Sequence, residues 1–261
     1  MKTGNTMLEG SMVVVTGGTG GIGRACAEAL LDAGAAGVLI NGRDAGRAAA
    51  AQAEMQARFP AARVIVGIGD VAIADTAKAV MARAAEALGR IDVLVNSTGG
   101  NDLPQLLYRT PLDEIPGILQ RCLFAQILCC AAALPFMREA GRGTIINIAS
   151  DAAKIATPGE SVIGAAMAGI VMFTRALAVE GKRDGIRANV LTPSMTSGTD
   201  HYQKVMADPF AGRLFAKAEK MAALGVVTKE ELAGLAVFLA SPAAAKITGQ
   251  AISMTGGISA M

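Results

Sequence analysis

The chain has 261 residues, a length that suits one α/β domain with a sizeable core. Hydrophobic residues make up 52% of it, but only 3% are aromatic and none is tryptophan, so Ala, Val, Ile, Leu and Met must fill the interior. The net charge of +2 does not indicate a nucleic-acid or membrane partner, and one histidine with four cysteines in no CxxC spacing argues against a metal site.

The start of the chain and its cysteines bear on where the protein resides. The first twelve residues carry one lysine and no long apolar run, so no secretion signal is predicted. The longest uncharged helical stretch, residues 122–137, is too short to cross a membrane. Free thiols suit a reducing compartment. We therefore expect a cytoplasmic protein.

Short β-rich segments alternate with longer alanine-rich helical segments along the chain. The predicted strands are residues 12–16, 37–41, 63–67, 91–96, 144–149, 186–191 and 250–254. The predicted helices are residues 22–34, 43–57, 73–88, 112–138, 160–180 and 228–240. This alternation predicts βαβ units and a parallel sheet with helices on both faces.

No linker or charge run divides the chain, so we predict one domain over residues 1–261. Residues 194–225 interrupt the alternation, because they follow a strand, carry Pro209 and have no strand of their own. Such a segment favours a substrate lid over a second domain. The last helix opens at Thr228 with Glu231 three residues later, which is the spacing of a capping box.

The first strand leads directly into a glycine-rich loop, residues 16–23, which reads Thr-Gly-Gly-Thr-Gly-Gly-Ile-Gly and precedes a helix. Backbone N–H groups at a helix N-terminus attract a pyrophosphate, and glycines allow its close approach. The place of the loop in the first βαβ unit favours nucleotide binding over a glycine-rich turn without a ligand.

The tip of the second strand indicates which nucleotide binds. An acidic residue there would bond an adenine-ribose 2′-OH, whereas an arginine just beyond it can pair with a 2′-phosphate. This chain has Gly42 followed by Arg43. The pattern favours NADP(H), with NAD(H) the weaker candidate, and the alternative is that Arg43 merely starts an exposed helix and is neutralised by Asp44.

Residues 16–23 resemble the TGxxxGxG loop of the short-chain dehydrogenase/reductase family. Further segments resemble that family in the expected order: Asp70-Val71, Asn96-Ser97-Thr98-Gly99, residues 143–150, residues 186–190 with Pro193, and residues 247–250 and 255–257. The resemblance implies a Rossmann-type, doubly wound parallel sheet of about seven strands. It also implies an oxidoreductase that forms homodimers or homotetramers. The implied cofactor contacts are Gly17, Thr19, Gly21, Ile22, Gly23, Arg43, Asp70, Val71, Asn96 and Pro193.

The same resemblance implies an altered catalytic site. Members of the family act through an Asn–Ser–Tyr–Lys tetrad, whose Tyr and Lys lie four residues apart on one helix. Ser150 matches the serine, but the tyrosine position falls on Ile163, the lysine position on Met167 and the asparagine position on Cys122. Ile and Met cannot donate a proton, and general acid–base catalysis contributes about 10²–10⁴-fold. We therefore expect a non-standard mechanism.

Other polar residues are candidates for the missing roles. Residues 155–181 contain no Tyr or Lys, so a small shift in alignment cannot restore the pair. Lys154 is interpreted as part of an exposed loop, and Asp151 as a cap or a solvent contact. His201 and Tyr202, in the predicted lid, could supply a replacement acid, although a surface position is favoured.

Three hypotheses of function follow. The first is an NADP(H)-binding oxidoreductase for a carbonyl/hydroxyl or enone substrate. The second is a catalytically inactive subunit or scaffold in a hetero-oligomer with an active relative. The third is a non-redox lyase or isomerase that uses Ser150. Cofactor binding without turnover would favour either of the last two.

Overall fold

A computed structural model describes residues 7–99 and 102–260, so most of the N-terminal segment in which no secretion signal was predicted lies outside the described residues. Seven parallel strands form one sheet in the order β3-β2-β1-β4-β5-β6-β9, and a second pair joins β7 to β8. The strands are β1 (Met12–Thr16), β2 (Gly37–Gly42), β3 (Arg63–Ile68), β4 (Val93–Asn96), β5 (Gly143–Ile148), β6 (Ile186–Pro193), β7 (Thr196–Ser197), β8 (Val227–Thr228) and β9 (Ala251–Met254). The predicted doubly wound α/β sheet is confirmed.

Helices cover both faces of the large sheet. They are α1 (Gly21–Asp32), α2 (Ala45–Arg58), α3 (Ala74–Leu88), α4 (Glu114–Leu119), α5 (Ala125–Glu139), α6 (Ser161–Gly181), α7 (Asp200–Ala207), α8 (Ala211–Met221) and α9 (Lys229–Ala240). Successive strand side chains point to opposite faces, so Val13 and Val15 pack with α1 and α9 while Val14 packs with α3 and α5. Each face of the sheet therefore has its own apolar core.

The ends of the predicted strands and helices fall within two residues of the observed ends. The fourth strand begins at Val93 rather than at residue 91. The predicted helix 112–138 is not regular: a π-helical segment, Gln120–Phe124, separates α4 from α5. Such wide turns occur mostly as local bulges within α-helices, often at functional sites, and have no simple sequence signature.

Two helical segments reach the length and hydropathy of a membrane span. They are Glu114–Glu139, of 26 residues and mean hydropathy 1.7, and Ser161–Asp184, of 24 residues and mean hydropathy 1.9. The first extends beyond residues 122–137, so its length alone does not exclude a span. Both segments pack against the sheet, where Met137 and Ile170 are fully buried. Covering the sheet accounts for their apolar composition.

Residues 194–225 are more ordered than the sequence predicts. The prediction that they have no strand was wrong, because Thr196 pairs with Val227 in the small two-stranded sheet. They also form helices α7 and α8, which the sequence did not predict because both segments are short and polar. The two helices are joined by a hydrogen bond of 2.9 Å from the Tyr202 hydroxyl to Glu219 Oε1.

The capping box at the start of α9 is confirmed. Thr228 Oγ1 accepts a hydrogen bond from the Glu231 amide at 3.1 Å, and Glu231 Oε2 accepts one from the Thr228 amide at 2.8 Å. Two amides that the helix itself cannot satisfy therefore find acceptors.

A chain of buried polar side chains runs through the centre of the sheet. Thr16 Oγ1 donates to Asn96 Oδ1 at 3.1 Å, and Asn96 Nδ2 donates to Asn147 Oδ1 at 2.9 Å. Asn147 Nδ2 then donates to Thr174 Oγ1 at 2.9 Å, and that hydroxyl donates to the Ile170 carbonyl at 2.7 Å. These bonds tie the ends of β1, β4 and β5 to helix α6.

Breaking this chain should destabilise the protein. We expect Asn147→Ala to remove the oxygen acceptor of Asn96 Nδ2 and leave it only the Cys130 sulfur at 3.2 Å, at a cost of about 1–3 kcal/mol in the free energy of unfolding. Urea unfolding followed by circular dichroism measures the change. Gln203→Ala, at an exposed position on α7, is the control. Equal losses in the two variants would contradict the importance of the buried chain.

The pKa of the Tyr202 hydroxyl reports the contact between α7 and α8. Burial, together with the hydrogen bond and negative charge of Glu219, raises the pKa of Tyr202. The chain has only two tyrosines, so in a Tyr108→Phe background the phenolate absorbance reports Tyr202 alone. We expect Glu219→Gln to lower the pKa of Tyr202 towards its ordinary value. Superimposable titration curves would show that the two helices do not meet through this pair.

Candidate active site

A cleft of about 440 Å³ lies at the carboxyl edge of the large sheet, where the order of strands reverses between β1 and β4. The loops that follow β1, β3, β4, β5 and β6 line it, together with the tip of β2 and parts of α6 and α7. In open α/β sheets this is the place where ligands bind.

The glycine-rich loop forms the floor of the cleft at the start of α1. Gly17 has φ +65°, and a Cβ atom there would lie 2.3 Å from the Ser97 carbonyl oxygen. A Cβ on Gly23 would lie 2.4 Å from the Gly17 carbonyl oxygen. No side chain caps the N-terminus of α1, so its first amides face the cleft with no acceptor in the helix. The loop fits a pyrophosphate.

The tip of β2 forms the far wall of the cleft. Arg43 and Arg47 both line it and are both exposed. Asp44 Oδ1 accepts a hydrogen bond of 2.7 Å from the Arg47 amide and so caps α2. Among residues 7–99 and 102–260, Arg43 forms no ion pair with this carboxylate. The structure thus shows Asp44 as the cap of α2 and not as an ion-pair partner of Arg43, and the role of Arg43 stays a prediction.

Most of the predicted cofactor contacts line the cleft. Eight of the ten do so: Gly17, Thr19, Gly21, Ile22, Arg43, Asp70, Val71 and Pro193. The other two lie behind the lining, Gly23 packed under Gly17 and Asn96 fully buried in the polar chain described above. Asp70 Oδ1 accepts the Ala72 amide at 3.0 Å, which fixes the turn after β3.

Ser150 lies at the opposite end of the cleft, just beyond β5. Its Oγ accepts a hydrogen bond of 3.2 Å from the Ala152 amide, so its own proton stays available to a ligand. The first turns of α6 face it across the cleft with Ile163 and Met167. The structure therefore brings together Ser150 and the two positions that the resemblance assigns to tyrosine and lysine.

Glu160 joins this group, although the sequence analysis did not single it out. It immediately precedes α6, and Ile163 and Met167 lie on the first two turns of that helix. All three line the cleft. Burial raises the pKa of the Glu160 carboxyl, and a hydrogen bond with Thr157 partly opposes this effect.

The two polar residues after Ser150 are not where the sequence analysis placed them. Asp151 is only 5% exposed, so its interpretation as a solvent contact was wrong. Lys154 is half-buried rather than on an exposed loop: its Nζ donates to the Ala251 carbonyl at 3.1 Å and to Ser253 Oγ at 2.7 Å. The lysine thereby ties this turn to the edge strand β9, and burial lowers its pKa.

A second polar group lines the cleft near α7. Arg121 Nη2 donates to Asp102 Oδ1 at 2.5 Å, and this bond raises the pKa of the guanidinium. His201 also lines the cleft, and its Nδ1 is buried without a partner within the described part of the chain. Burial lowers the pKa of His201. The surface position favoured for His201 and Tyr202 was wrong, because both face the cleft.

Cys122 lies behind the cleft rather than in its lining. It is 1% exposed and sits inside the π-helical segment, where its Cα would lie 3.1 Å from a Cβ on Gly99. Its Sγ donates to Asp102 Oδ2 at 3.9 Å. Within residues 7–99 and 102–260, no group of His, Cys, Asp or Glu side chains is placed to hold a metal ion.

Comparisons with known proteins agree with this geometry. The family model described as enoyl-(acyl carrier protein) reductase matches residues 17–259. A 2,3-dihydroxy-2,3-dihydro-p-cumate dehydrogenase of Pseudomonas putida is 31% identical over 96% of this chain and 95% of its own length. A 3-oxoacyl-[acyl-carrier-protein] reductase of Synechocystis sp. is 33% identical over 97% and 98%.

Solved structures give the same result. A 7α-hydroxysteroid dehydrogenase, solved as a complex with NADH and 7-oxo glycochenodeoxycholic acid, superimposes with a TM-score of 0.89 and 25% identity, covering 98% of this chain and 97% of its own. The family of these relatives consists of oxidoreductases that bind a nicotinamide cofactor, NAD or NADP. By its sequence match, its fold and its glycine-loop cleft, the chain belongs to the short-chain dehydrogenase/reductase family.

Proposed function

We propose that the protein is an NADP(H)-dependent oxidoreductase that acts on a carbonyl/hydroxyl or enone substrate by a non-standard mechanism. The observation that carries the proposal is the continuity of the cleft. One cavity has the glycine loop and Arg43 at one end and Ser150 with the face of α6 at the other. A dinucleotide lying along it would reach Ser150 with its reactive end.

The preference for NADP(H) rests on charge and space at the tip of β2. A Cβ on Gly42 would lie 2.5 Å from Thr19 Cγ2, so this position has no room for an acidic side chain. Arg43 and Arg47 stand one helical turn apart on the same wall of the cleft. Two guanidinium groups, with the neighbouring Asp44 carboxylate engaged in capping α2, suit a 2′-phosphate better than a ribose 2′-OH.

The reaction needs a substrate oxygen to be held and protonated. When bound, the nicotinamide supplies or accepts a hydride. Ser150 Oγ accepts a hydrogen bond from the Ala152 amide, which leaves the hydroxyl proton free. Ser150 can therefore donate that proton in a hydrogen bond to the substrate oxygen. Ile163 and Met167 exclude water from this end of the cleft but provide no proton.

A conjugated substrate suits this arrangement. Reduction of an enone gives a delocalised carbanion, which requires less help from an acid than the alkoxide formed from a simple ketone. The match to a family model described as enoyl-(acyl carrier protein) reductase supports this substrate class. The names of the relatives support carbonyl and hydroxyl groups as well.

Assembly, the lid and the cytoplasmic location are also proposals. Met172 and Val179 are exposed on α6 at 62% and 63%, an apolar face that supports a homodimer or homotetramer. The same face supports the alternative of an inactive subunit beside an active relative. His201 and Tyr202 support residues 194–225 as a lid over the substrate, because both face the cleft from α7.

The nucleotide preference is tested by calorimetric titration with NADPH and NADH. We expect Arg43→Ala to weaken NADPH binding about tenfold or more, because a hydrogen bond to a charged group is worth about 1.5–3 kcal/mol. NADH binding should change little. Arg183→Ala, an exposed arginine far from the cleft, is the control. Equal losses for NADPH and NADH in Arg43→Ala would contradict the assignment to the 2′-phosphate.

Restoring the family's pair tests the assigned positions. We expect the tyrosine hydroxyl of Ile163→Tyr with Met167→Lys to speed NADPH oxidation by an activated 1,2-diketone beyond the rate of a matched variant that lacks it, because general acid–base catalysis contributes about 10²–10⁴-fold. The matched control is Ile163→Phe with Met167→Lys, which lacks only the hydroxyl group. Equal rates in the two double variants, both confirmed as folded by circular dichroism, would show that residue 163 does not face the reacting oxygen.

A further inference from the structure

We propose that Glu160 is the proton donor at the substrate oxygen, in place of the hydroxyl that Ile163 cannot supply. The proposal rests on the proposed oxidoreductase function and names a catalytic residue for it. Glu160 immediately precedes α6, Ile163 and Met167 lie on its first two turns, and all three line the cleft together with Ser150. Glu160 is thus the carboxyl group nearest in sequence to the apolar pair.

The side chain of Glu160 does not cap helix α6. Its carbonyl accepts the Gly164 amide at 2.5 Å and so begins α6, but its carboxyl makes no capping bond to the helix. The preceding residue fixes the backbone: Gly159 has φ +88°, and its carbonyl accepts the Gln105 amide at 2.8 Å. A Cβ there would lie 2.7 Å from the Phe210 ring, so only glycine fits.

The surroundings of the Glu160 carboxyl raise its pKa above the ordinary value of a glutamate. Burial raises its pKa, the hydrogen bond with Thr157 lowers it, and the charge of Asp151 raises it. The cleft also contains other titratable groups: His201, whose pKa is lowered, Tyr202, whose pKa is raised, the ion pair of Asp102 with Arg121, and the side chains of Arg43, Asp44, Arg47, Asp70 and Asp200. The lowered pKa leaves less of His201 protonated, and the Tyr202 hydroxyl already donates to Glu219, so both are poorer donors than Glu160.

The proposed step balances in protons and electrons. In the reducing direction the substrate carbonyl gains two electrons and one hydrogen from the reduced nicotinamide, and the C=O double bond becomes a single bond. The oxygen takes the Glu160 proton as the carboxyl O–H bond breaks, which leaves a carboxylate that regains a proton from solvent. In the oxidising direction the carboxylate accepts the hydroxyl proton.

The proposal fixes the sign of the pH dependence. Reduction needs the protonated carboxyl, so its rate should fall as the pH rises through the Glu160 pKa, whereas oxidation should gain rate over the same interval. Thr157→Val removes the hydrogen bond that lowers this pKa. The variant should therefore move the fall in the reduction rate to higher pH. A merely structural role for Thr157 would not move it.

The experiment uses the full chain with carbon-13-labelled glutamate carboxyls and with NADPH plus an activated 1,2-diketone. We expect a carboxyl signal that titrates above the ordinary glutamate range and is missing in Glu160→Gln. The same variant should reduce the diketone about 10²–10⁴-fold more slowly and lose the pH-dependent fall, with NADPH affinity unchanged. Glu180→Gln, an exposed glutamate near the other end of α6, should match the wild type.

Each other outcome counts against a specific claim. A Glu160→Gln variant with the wild-type rate and pH profile overturns the role of Glu160 but leaves the oxidoreductase function standing. The absence of a glutamate signal above the ordinary range also overturns it. A wild-type protein that binds NADPH but never reduces the diketone, even in the variants, overturns the proposed function and the role of Glu160 together.

Discussion

The site depends on the register of three parallel strands. β1, β4 and β5 end at the same edge of the sheet, and the hydrogen bonds from Thr16 to Asn96, Asn147 and Thr174 hold those ends to each other and to α6. A buried polar group that loses its hydrogen-bond partner destabilises the fold. These hydrogen bonds therefore favour a single arrangement of the three strand ends and α6. The glycine loop, Ser150 and the face of α6 that lines the cleft are thereby fixed relative to one another.

The two ends of the cleft differ in the atoms that form them. The nucleotide end is built from backbone, since Gly17 and Gly42 leave no space for side chains and two arginines supply the charge. The other end is built from side chains, with apolar Ile163 and Met167 beside Ser150 and Glu160. In the proposed assignment the apolar pair provides no proton donor, and burial in the same region raises the pKa of the Glu160 carboxyl, which we propose acts as one.

The sequence predicts the parts of the molecule that depend on local pattern. Strand positions follow from short runs of Val, Ile and Leu, the phosphate loop from its glycines, and the start of α9 from Thr228 and Glu231. It does not predict the parts that depend on tertiary contacts. The burial of Asp151, the attachment of Lys154 to β9 and the approach of His201 to the cleft all arise between segments distant in sequence. For Glu160, the spacing of 160, 163 and 167 was an available signal.

The central claim is that one cleft holds the dinucleotide between Arg43 and the Ser150 end of α6. A crystal structure of the protein with saturating NADP+ tests this claim most directly. The account predicts the 2′-phosphate beside Arg43, the pyrophosphate at the N-terminus of α1 and the nicotinamide beside Ser150 and Met167. A nucleotide bound elsewhere, or a cleft that stays empty at saturating NADP+, would contradict it.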